Sequence, residues 1–587
     1  MFGRPIDKKR FSSGFQHAFE SSKAIGKVLW GKTGTGVSDA ESSSRSATAP
    51  RVIGPPLLPT ETLHFIFELL WESEPPSTDI QNFRQACKLF NRIALEYIYT
   101  DVTVSLNEGG SDSGTIQKLI KHNKDIISRI SRLHVTGFPA GPRRLGFISL
   151  KRPGKYSFDT RETSRDDLKT LLELLHPDQL TCFSITGRHI LERIDKIPIA
   201  LLFGKHSNLH QLCIPITLLF QHGVNTSEEL GSVTIPSFQS LILTDLQYPR
   251  HIADTWTLLH NSRDTLKSLA IKSPAESELE RYLMHRGYQG LTAGLPSTEL
   301  SLRRIQDLHI EGFPYLDKVL ECAPNLINFS NLRMLRLERC ERADAFLLTS
   351  LGVYSTPKLK SLQLFETGSN LAFGGFIPYI GTMELETLVI ALHPWEGGIK
   401  WNLIKEHLAG SLKRLWIQHL SPYHGPHTLL DMTNHTAPYE GAFFPHGWPK
   451  LEEVAIDPNY LEGNAIVLPE TVKVCRIVGP RAQKIVMRDQ PLAKNVEKII
   501  GFRNEEGNIL NVKVSAIGTL DHPDTGRVLR HPFFYNVTSE LDQNGQPVSS
   551  WKLLSIDEAM KRVPDSHILW FERTDRPWSD KHGSFWY

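Results

Sequence analysis

One segment near the start of the sequence has the residue types and spacing of a phosphate-binding loop. Residues 26–33 (Gly26 to Thr33) match the pattern G-x-x-x-x-G-K-[ST], in which backbone amides and the lysine bind the phosphates of a nucleotide. Such a loop must follow a buried strand and begin a helix, so that the amides and the helix dipole meet the phosphate. Residues 20–25 lack the apolar pattern of a buried strand. An NTPase that uses Gly31, Lys32 and Thr33 is therefore kept only as an alternative function.

Histidines concentrate in residues 421–450, where they could bind zinc. The group consists of His424, His427, His435 and His446, with Asp431 nearby. Clustered histidines are zinc ligands in many proteins, but no cysteine joins them here, and the Gly and Pro content predicts a solvated loop. We predict no metal, no other cofactor and no catalytic residue, because no Ser-His-Asp or paired-carboxylate arrangement stands out.

A basic segment between Pro142 and Arg165 is the best local candidate for a charged contact. Seven basic residues stand there against Asp159 and Glu162. They are Arg143, Arg144, Lys151, Arg152, Lys155, Arg161 and Arg165. They could bind an acidic partner or a phosphate group, and a solvated basic loop is the alternative.

Composition limits the class of protein. The 587 residues are 40% hydrophobic and 22% charged, enough to form several domains or one extended repeat array. Sixty-six Lys and Arg against 64 Asp and Glu give a net charge of +2, which argues against a nucleic-acid-binding protein. Six cysteines exclude a disulfide scaffold. With no membrane span and no secretory signal in the sequence, we expect a cytoplasmic or nuclear protein without stable membrane insertion.

The long middle section repeats the pattern L-x-x-L-x-L, with Ile, Val, Phe or Cys at some positions. Successive first positions are separated by 29, 29, 28, 39, 27, 27, 26, 27, 39 and 21 residues, close to the period of leucine-rich repeats. The triads are Leu180/Phe183/Ile185, Leu209/Leu212/Ile214, Phe238/Leu241/Leu243, Leu266/Leu269/Ile271, Ile305/Leu308/Ile310, Leu332/Leu335/Leu337, Leu359/Leu362/Leu364, Leu385/Leu388/Ile390, Leu412/Leu415/Ile417, Leu451/Val454/Ile456 and Val472/Cys475/Ile477, with Ile130/Leu133/Val135 as a further first member.

This pattern predicts an α/β fold in which residues 125–480 form a curved leucine-rich-repeat solenoid. The alternating part of each triad is typical of a short strand with one buried face, and helical patterns lie between the strands. Such a unit cannot close a core alone, so stacked repeats must bury each other's leucines. A generic α/β domain with a buried parallel sheet is the alternative. Arg336, Gln363 and Trp416 alternate with the leucines, so we predict that they face a substrate, or else water.

The flanking regions differ from the repeats. Residues 1–50 are basic and then Ser-rich, which predicts a disordered tail. Residues 481–587 lose the repeat phase and end in aromatic residues, which predicts a capping region for the last repeat. An exposed aromatic segment that binds a partner is the alternative.

A short helical unit is predicted at residues 56–106, directly before the repeats. Leu58-Pro59-x-Glu61 begins a helix, and Leu63, Ile66 and Leu70 follow at helical spacing. After Pro75-Pro76, a second helix contains Cys87-Lys88-x-Phe90-Asn91-x-Ile93-Ala94. This unit resembles an F-box, and an F-box followed by leucine-rich repeats is the arrangement of the F-box/leucine-rich-repeat proteins. The linker between the helices is longer and more polar than in that family.

The resemblance implies a substrate-recognition adaptor without catalytic activity of its own. The F-box would bind the Skp subunit of a Skp–cullin–F-box ubiquitin ligase, and the repeats would bind a protein substrate, so that tethering raises the effective concentration of its lysines. The residues expected to bind Skp are Leu58, Pro59, Leu63, Ile66, Leu70 and Phe90. A leucine-rich-repeat scaffold without a ligase link, in which residues 56–106 only cap the array, remains a second alternative.

Overall fold

The structure of the protein is a computed structural model that describes most residues between 91 and 566. The chain divides into two compact units, Met1–Thr62 and Leu63–Tyr587, and the described residues all belong to the second. The phosphate-loop string and the six predicted Skp-binding residues lie outside the described residues. The principal gaps after residue 105 are 106–114, 137–158, 187–196, 221–234, 274–301, 317–326, 366–379, 393–400, 420–446, 457–464, 479–500, 504–510 and 518–532.

Sixteen of the described strands form one open sheet in which strand order follows chain order. Pairing is parallel among the first fourteen strands in this order and antiparallel among the last three. The strands are β1 (Asp101–Ser105), β2 (Arg132–Thr136), β3 (Cys182–Thr186), β4 (Gln211–Pro215), β5 (Ser240–Thr244), β6 (Ser268–Lys272), β7 (Asp307–Glu311), β8 (Met334–Glu338), β9 (Ser361–Phe365), β10 (Thr387–Leu392), β11 (Arg414–His419), β12 (Glu453–Ile456), β14 (Val474–Ile477), β16 (Val512–Ile517), β17 (Phe533–Leu541) and β18 (Pro547–Leu554). A separate pair is formed by β13 (Ala465–Val467) and β15 (Gly501–Arg503).

The described α-helices stand between strands and after the last one. They are α1 (Thr115–His122), α2 (Lys124–Ile127), α3 (Asp159–Leu174), α4 (Ile199–Leu202), α5 (Ile216–Leu219), α6 (Pro249–Ser262), α7 (Ala343–Val353), α8 (Trp401–Leu408) and α9 (Ile556–Arg562). Apolar residues of most of these helices join one core with the strand leucines, for example Leu171 of α3, Leu259 of α6 and Phe346 of α7. Two neighbouring parallel strands need a crossover segment between them. After the first strand, the chain must return to the end of the sheet where that strand began before it can form the next one.

Each leucine triad of the sequence contributes one strand to the sheet. Its last two members lie in the strand and its first member lies just before it, as in Leu332, Leu335 and Leu337, which are all fully buried. We call the side of the sheet that these residues face the leucine face. Register keeps equivalent residues adjacent, so Leu335 pairs with Leu308 on one side and with Leu362 on the other. The architecture is thus a mixed α/β fold built on a long, open, repeat-like sheet.

The sheet extends past the repeats at both ends. It begins with β1, inside the segment 56–106, and continues through β16, β17 and β18, inside the segment 481–587. Tyr535 and Trp551 of the terminal hairpin pack edge to face at 5.8 Å and belong to the same core as the leucines. Among the described residues, no helix is long and apolar enough to cross a membrane.

Candidate functional site

The residues that alternate with the leucines form a second face of the sheet. Within it, one row of side chains runs across neighbouring strands in register. Arg336 pairs with Gln363, Gln363 with Val389, and Val389 with Trp416. Neighbouring strands are about 4.8 Å apart, so Arg336 and Trp416 stand roughly 14 Å apart along this row. The three residues predicted to contact a substrate therefore lie in one line on the second face.

These three side chains are nevertheless buried. The exposed fraction is 2% for Arg336, 8% for Gln363 and 0% for Trp416, so none of them faces water. Alternation predicts on which face a residue lies, but it gives no information about whether another layer covers that face.

An apolar strip occupies the second face from β9 to β14. It is a buried cluster separate from the leucine core, and its members are Phe365, Val389, Ala391, Trp416, Ala455 and Val478. Two aromatic rings of the strip, those of Phe365 and Trp416, each have an arginine over them. The guanidinium of Arg336 lies 4.6 Å from the ring centre of Phe365, and that of Arg476 lies 5.0 Å from Trp416. Both distances fit cation–π contacts.

Next to the strip, charged side chains of β6, β7 and β8 and of the turn after β8 form a cluster in which His309, Arg336 and Glu338 are buried and the others half-buried. Arg336 donates to Glu338 at 2.7 Å, and Arg339 donates to Glu311 at 2.5 Å. The ammonium of Lys272 lies 3.4 Å from the second oxygen of Glu311. We call Lys272, His309, Glu311, Arg336, Glu338 and Arg339 the charged cluster.

Burial sets the protonation state of the histidine in this cluster. His309 is fully buried, and burial lowers its pKa to about 3, although the carboxylate of Glu338 opposes this shift. Burial also raises the pKa of the Glu311 carboxyl, and the neighbouring Glu338 adds to that effect. With His309 neutral, three cations face two carboxylates, and the cluster has a net charge of +1.

Three residues of the charged cluster have the geometry of a metal site. One ligand atom each of His309, Glu311 and Glu338 lies within 4.8 Å of the others. The chemistry fits a metal poorly, however, because Arg336, Arg339 and Lys272 already neutralise both carboxylates. A divalent ion would bring the local charge to +3 at a buried position, where uncompensated charge is costly. The arrangement favours an ion-pair network.

A second polar group connects the first three strands on the same face. Nδ1 of His134 is 2.6 Å from the hydroxyl of Ser184, and Nε2 of His134 is 3.1 Å from the carboxylate of Asp101. This is the order of groups in a proton relay. Ser184 lies in the middle of β3 with 3% of its surface exposed, so its hydroxyl does not face an open cleft. Nothing in the sequence signals this group, because Asp101 and His134 are 33 residues apart and His134 and Ser184 are 50 apart.

Ser566, which follows α9, contacts the second face of the sheet at β12. Ala559 of α9 packs in a buried cluster with Val474, Ala516 and Phe534. Beyond the helix, the hydroxyl of Ser566 donates a 3.1 Å hydrogen bond to Glu453, 113 residues earlier in the chain. Glu453 precedes Ala455 of the apolar strip on the same strand.

The other candidate groups of the sequence are only partly described. In the basic segment, Arg161 and Arg165 lie in α3, and residues 142–158 lie outside the described residues. The four clustered histidines also lie outside them. The four described cysteines, Cys182, Cys213, Cys340 and Cys475, are buried and free of disulfides. Burial raises the pKa of Cys213 and of Cys340 to about 12, which makes both unreactive as thiolates.

No protein-family model matches the chain, and the search of curated proteins finds no match.

Proposed function

We propose that the protein is a substrate-recognition adaptor of a Skp–cullin–F-box ubiquitin ligase, and that the second face of its sheet binds the substrate. The observation that supports this most is the sheet of sixteen strands in chain order, which offers a long continuous surface for a protein partner.

The proposed activity is to bring two proteins together. The F-box-like residues 56–106 would bind Skp through Leu58, Pro59, Leu63, Ile66, Leu70 and Phe90. The second face would hold the substrate around the positions of Arg336, Gln363 and Trp416, whose own side chains are buried in the unbound chain. Tethering would then make ubiquitin transfer to the substrate effectively intramolecular, and no residue of this chain would take part in the chemistry.

Recovery of Skp tests the ligase link. We expect the double substitution Leu58→Ala and Pro59→Ala to abolish coprecipitation of Skp and cullin. The matched control is Pro56→Ala with Leu57→Ala, which changes the same residue types just before the motif and should leave Skp recovery intact. Equal recovery of Skp by both double variants would show that residues 56–106 are not an F-box.

Recognition through the second face has a separate test. We expect Gln363→Arg, which adds charge and bulk in the middle of the row, to reduce substrate ubiquitination in cells with the proteasome blocked, while Skp still coprecipitates. The control is Leu553→Arg on β18, where 59% of the leucine surface is exposed. Loss of ubiquitination in the control as well would assign the effect to general destabilisation.

A binding scaffold without a ligase link is the second candidate function. The long continuous sheet favours it equally, because a surface of that kind can bind a partner whether or not an F-box precedes it. This candidate predicts that proteins bound through the second face are recovered without Skp or cullin.

A further inference from the structure

The hydrogen-bond ladder of the sheet extends one residue beyond the amino ends of its parallel strands. From β6 to β14, the residue just before each strand donates its backbone N–H to the carbonyl of the residue just before the preceding strand of the sheet. Parallel strands begin at the same end of a sheet, so these residues form one row across that end. We call this the entry row, and it contains Lys267, Gln306, Arg333, Lys360, Glu386, Lys413, Glu452 and Lys473.

In the part of the entry row from β9 to β14, cations and carboxylates alternate and form ion pairs. Nζ of Lys413 lies 2.9 Å from one oxygen of Glu386, and Nζ of Lys360 lies 3.6 Å from the other oxygen. Lys473 and Glu452 form a further ion pair at 3.1 Å. Each cation in this part of the row therefore has a carboxylate partner.

The part of the entry row from β6 to β8 is built differently. Lys267 and Arg333 stand on either side of the neutral Gln306, and both cations are exposed. Arg303 and Arg304, which are also exposed, lie in the turn before β7. In the described part of the chain, no carboxylate lies within ion-pair distance of any of these four side chains. We call Lys267, Arg303, Arg304 and Arg333 the basic patch.

The four cations of the basic patch are close together. Neighbouring strands are about 4.8 Å apart, so the backbones of Lys267 and Arg333 are roughly 10 Å apart, with Gln306 between them. Arg304 and Arg303 precede Gln306 by two and three residues, which span at most about 7 and 11 Å. One short segment of a partner can therefore contact all four.

Little negative charge of the chain itself offsets the basic patch. Asp307, which follows Gln306, is half-buried and interacts with Arg333, so it offsets at most one of the four positive charges. Asp264, in the turn before β6, is already paired with Arg263 at 3.4 Å. The patch thus keeps a local positive charge at the surface of a chain whose net charge is only +2.

The surroundings of the patch favour a short acidic segment of a protein over a nucleic acid. Guanidinium groups bind carboxylates in planar, bidentate pairs, and an exposed positive patch raises the rate of encounter with an acidic partner. Beyond β8, the strand ends present Glu386 and also Glu384, whose side chain is 87% exposed. These carboxylates would repel a polyanion that continues along the entry row, whereas a short segment would end before it meets them.

We propose that the basic patch binds a short acidic segment of a partner protein, with carboxylates of that segment paired to Lys267, Arg333 and the two arginines before β7. This surface lies at the exposed amino ends of the strands and is distinct from the buried row on the second face. The inference goes beyond the proposed adaptor function, and it does not depend on Skp binding.

Anisotropy of a fluorescent decaglutamate peptide with the full-length protein tests the patch. We expect Lys267→Gln/Arg333→Gln to weaken binding about tenfold, because it removes two of the four unpaired cations. Arg303→Gln/Arg304→Gln should weaken binding by a similar factor. All four side chains are exposed, so these variants should keep the thermal unfolding midpoint of the wild-type protein.

The matched control is Lys413→Gln/Lys473→Gln, which removes the same net charge from the same row at cations that have carboxylate partners. Lys413 is three strand spacings, roughly 14 Å, from Arg333, which exceeds the Debye length of about 8 Å at physiological salt. We therefore expect the control to change the affinity less than about twofold. Wild-type protein that does not bind the peptide, or equal weakening by the control, would overturn the proposal.

A second ligand tests the class of partner. A single-stranded oligonucleotide of the same charge as decaglutamate should bind more weakly than the peptide, and tighter binding of the oligonucleotide through the basic patch would overturn the proposal. Neither measurement involves Skp. Failure of the ligase hypothesis with peptide binding intact would thus leave this inference standing, and loss of peptide binding with Skp recovered would leave the ligase hypothesis standing.

Discussion

At the scale of single residues, the second face shows how burial changes familiar side chains. Burial, followed by the charges of Arg336 and Lys272, lowers the pKa of His309, and this outweighs the opposing effect of the Glu338 carboxylate, so the imidazole stays neutral. The same direction holds for His206, where burial lowers the pKa to about 4. Neither histidine can be protonated near neutral pH without a cost in stability.

His309 should make the protein sensitive to mild acid. Its pKa is about 3 in the folded state against 6.5 for the free side chain, so the unfolded state binds more protons between these values. Stability is therefore complete above pH 6.5 and falls as the pH decreases, by about 2 kcal/mol at pH 5. Chemical denaturation at pH 7.5 and pH 5 should show that His309→Gln loses this part of the pH dependence. His210→Gln, at an exposed position, is the control, and identical profiles for wild type and His309→Gln would contradict the assignment.

The ion pair between Arg336 and Glu338 should be among the most sensitive contacts of the second face. Arg336→Met removes the guanidinium 2.7 Å from a buried carboxylate, and leaving a buried charge without its partner costs roughly 3–5 kcal/mol. Urea unfolding measures the loss, and adding Glu338→Gln should recover part of it. The exposed pair of Lys360 and Glu384 is the matched control, since Lys360→Met should change the midpoint little. If Arg336→Met changed the unfolding midpoint as little as Lys360→Met does, water would already solvate the charged cluster and the ion pair would add little stability.

At the scale of elements, the turn after β7 connects the charged cluster to the sheet. The ladder continues past the strand ends, because Ser273 donates to the carbonyl of Glu311 and Gly312 donates to the carbonyl of Glu338, both at 2.8 Å. Gly312 has φ of +73°, in the left-handed region that glycine adopts most easily. A side chain there would also clash with Ser273, since a Cβ atom would overlap the backbone carbonyl oxygen of that residue.

Gly312→Ala should therefore destabilise the protein by more than the roughly 1–3 kcal/mol of backbone strain alone, because the new Cβ atom would also clash with the Ser273 carbonyl. The control is Gly410→Ala, where a Cβ atom meets nothing within 4 Å. Thermal unfolding of both variants measures the difference. Equal midpoints would mean that the turn can move away from Ser273 without cost.

At the scale of the whole molecule, the sheet is built from contacts between strands that follow each other in the chain. Among the described residues, each strand of the large sheet pairs with the next strand of that sheet along the chain, and β13 and β15 pair with each other outside it. Stability should then be close to a sum of terms for single strands and for neighbouring pairs.

Double-mutant cycles test this additivity. Ile390 and Ile417 are paired in register on β10 and β11, so Ile390→Val and Ile417→Val should couple by about 0.5 kcal/mol or more. Ile214 lies on β4, and Ile214→Val combined with Ile417→Val should be additive within about 0.5 kcal/mol. Urea denaturation gives all the values. Equal coupling in both cycles would show that the sheet transmits strain along its length.

The sequence by itself determined the strands and the leucine face. The leucine triads predict the positions of the strands, because alternation and a period near 27 residues are local properties of the sequence. Each leucine is buried whichever repeat lies beside it. Thus Leu332, Leu335 and Leu337 could be assigned to the core from their spacing. The position of Arg336, Gln363 and Trp416 on the opposite face follows from the same alternation.

Only the tertiary structure decided what the second face is made of. His309, Glu311 and Glu338 meet because β7 and β8 pair in one register, and Asp101, His134 and Ser184 meet across three strands in the same way. No spacing along the chain encodes such contacts, since partners on different strands are 27 to 50 residues apart and nothing constrains their types. The burial of Trp416 depends on what lies over the second face, and local periodicity contains no information about that.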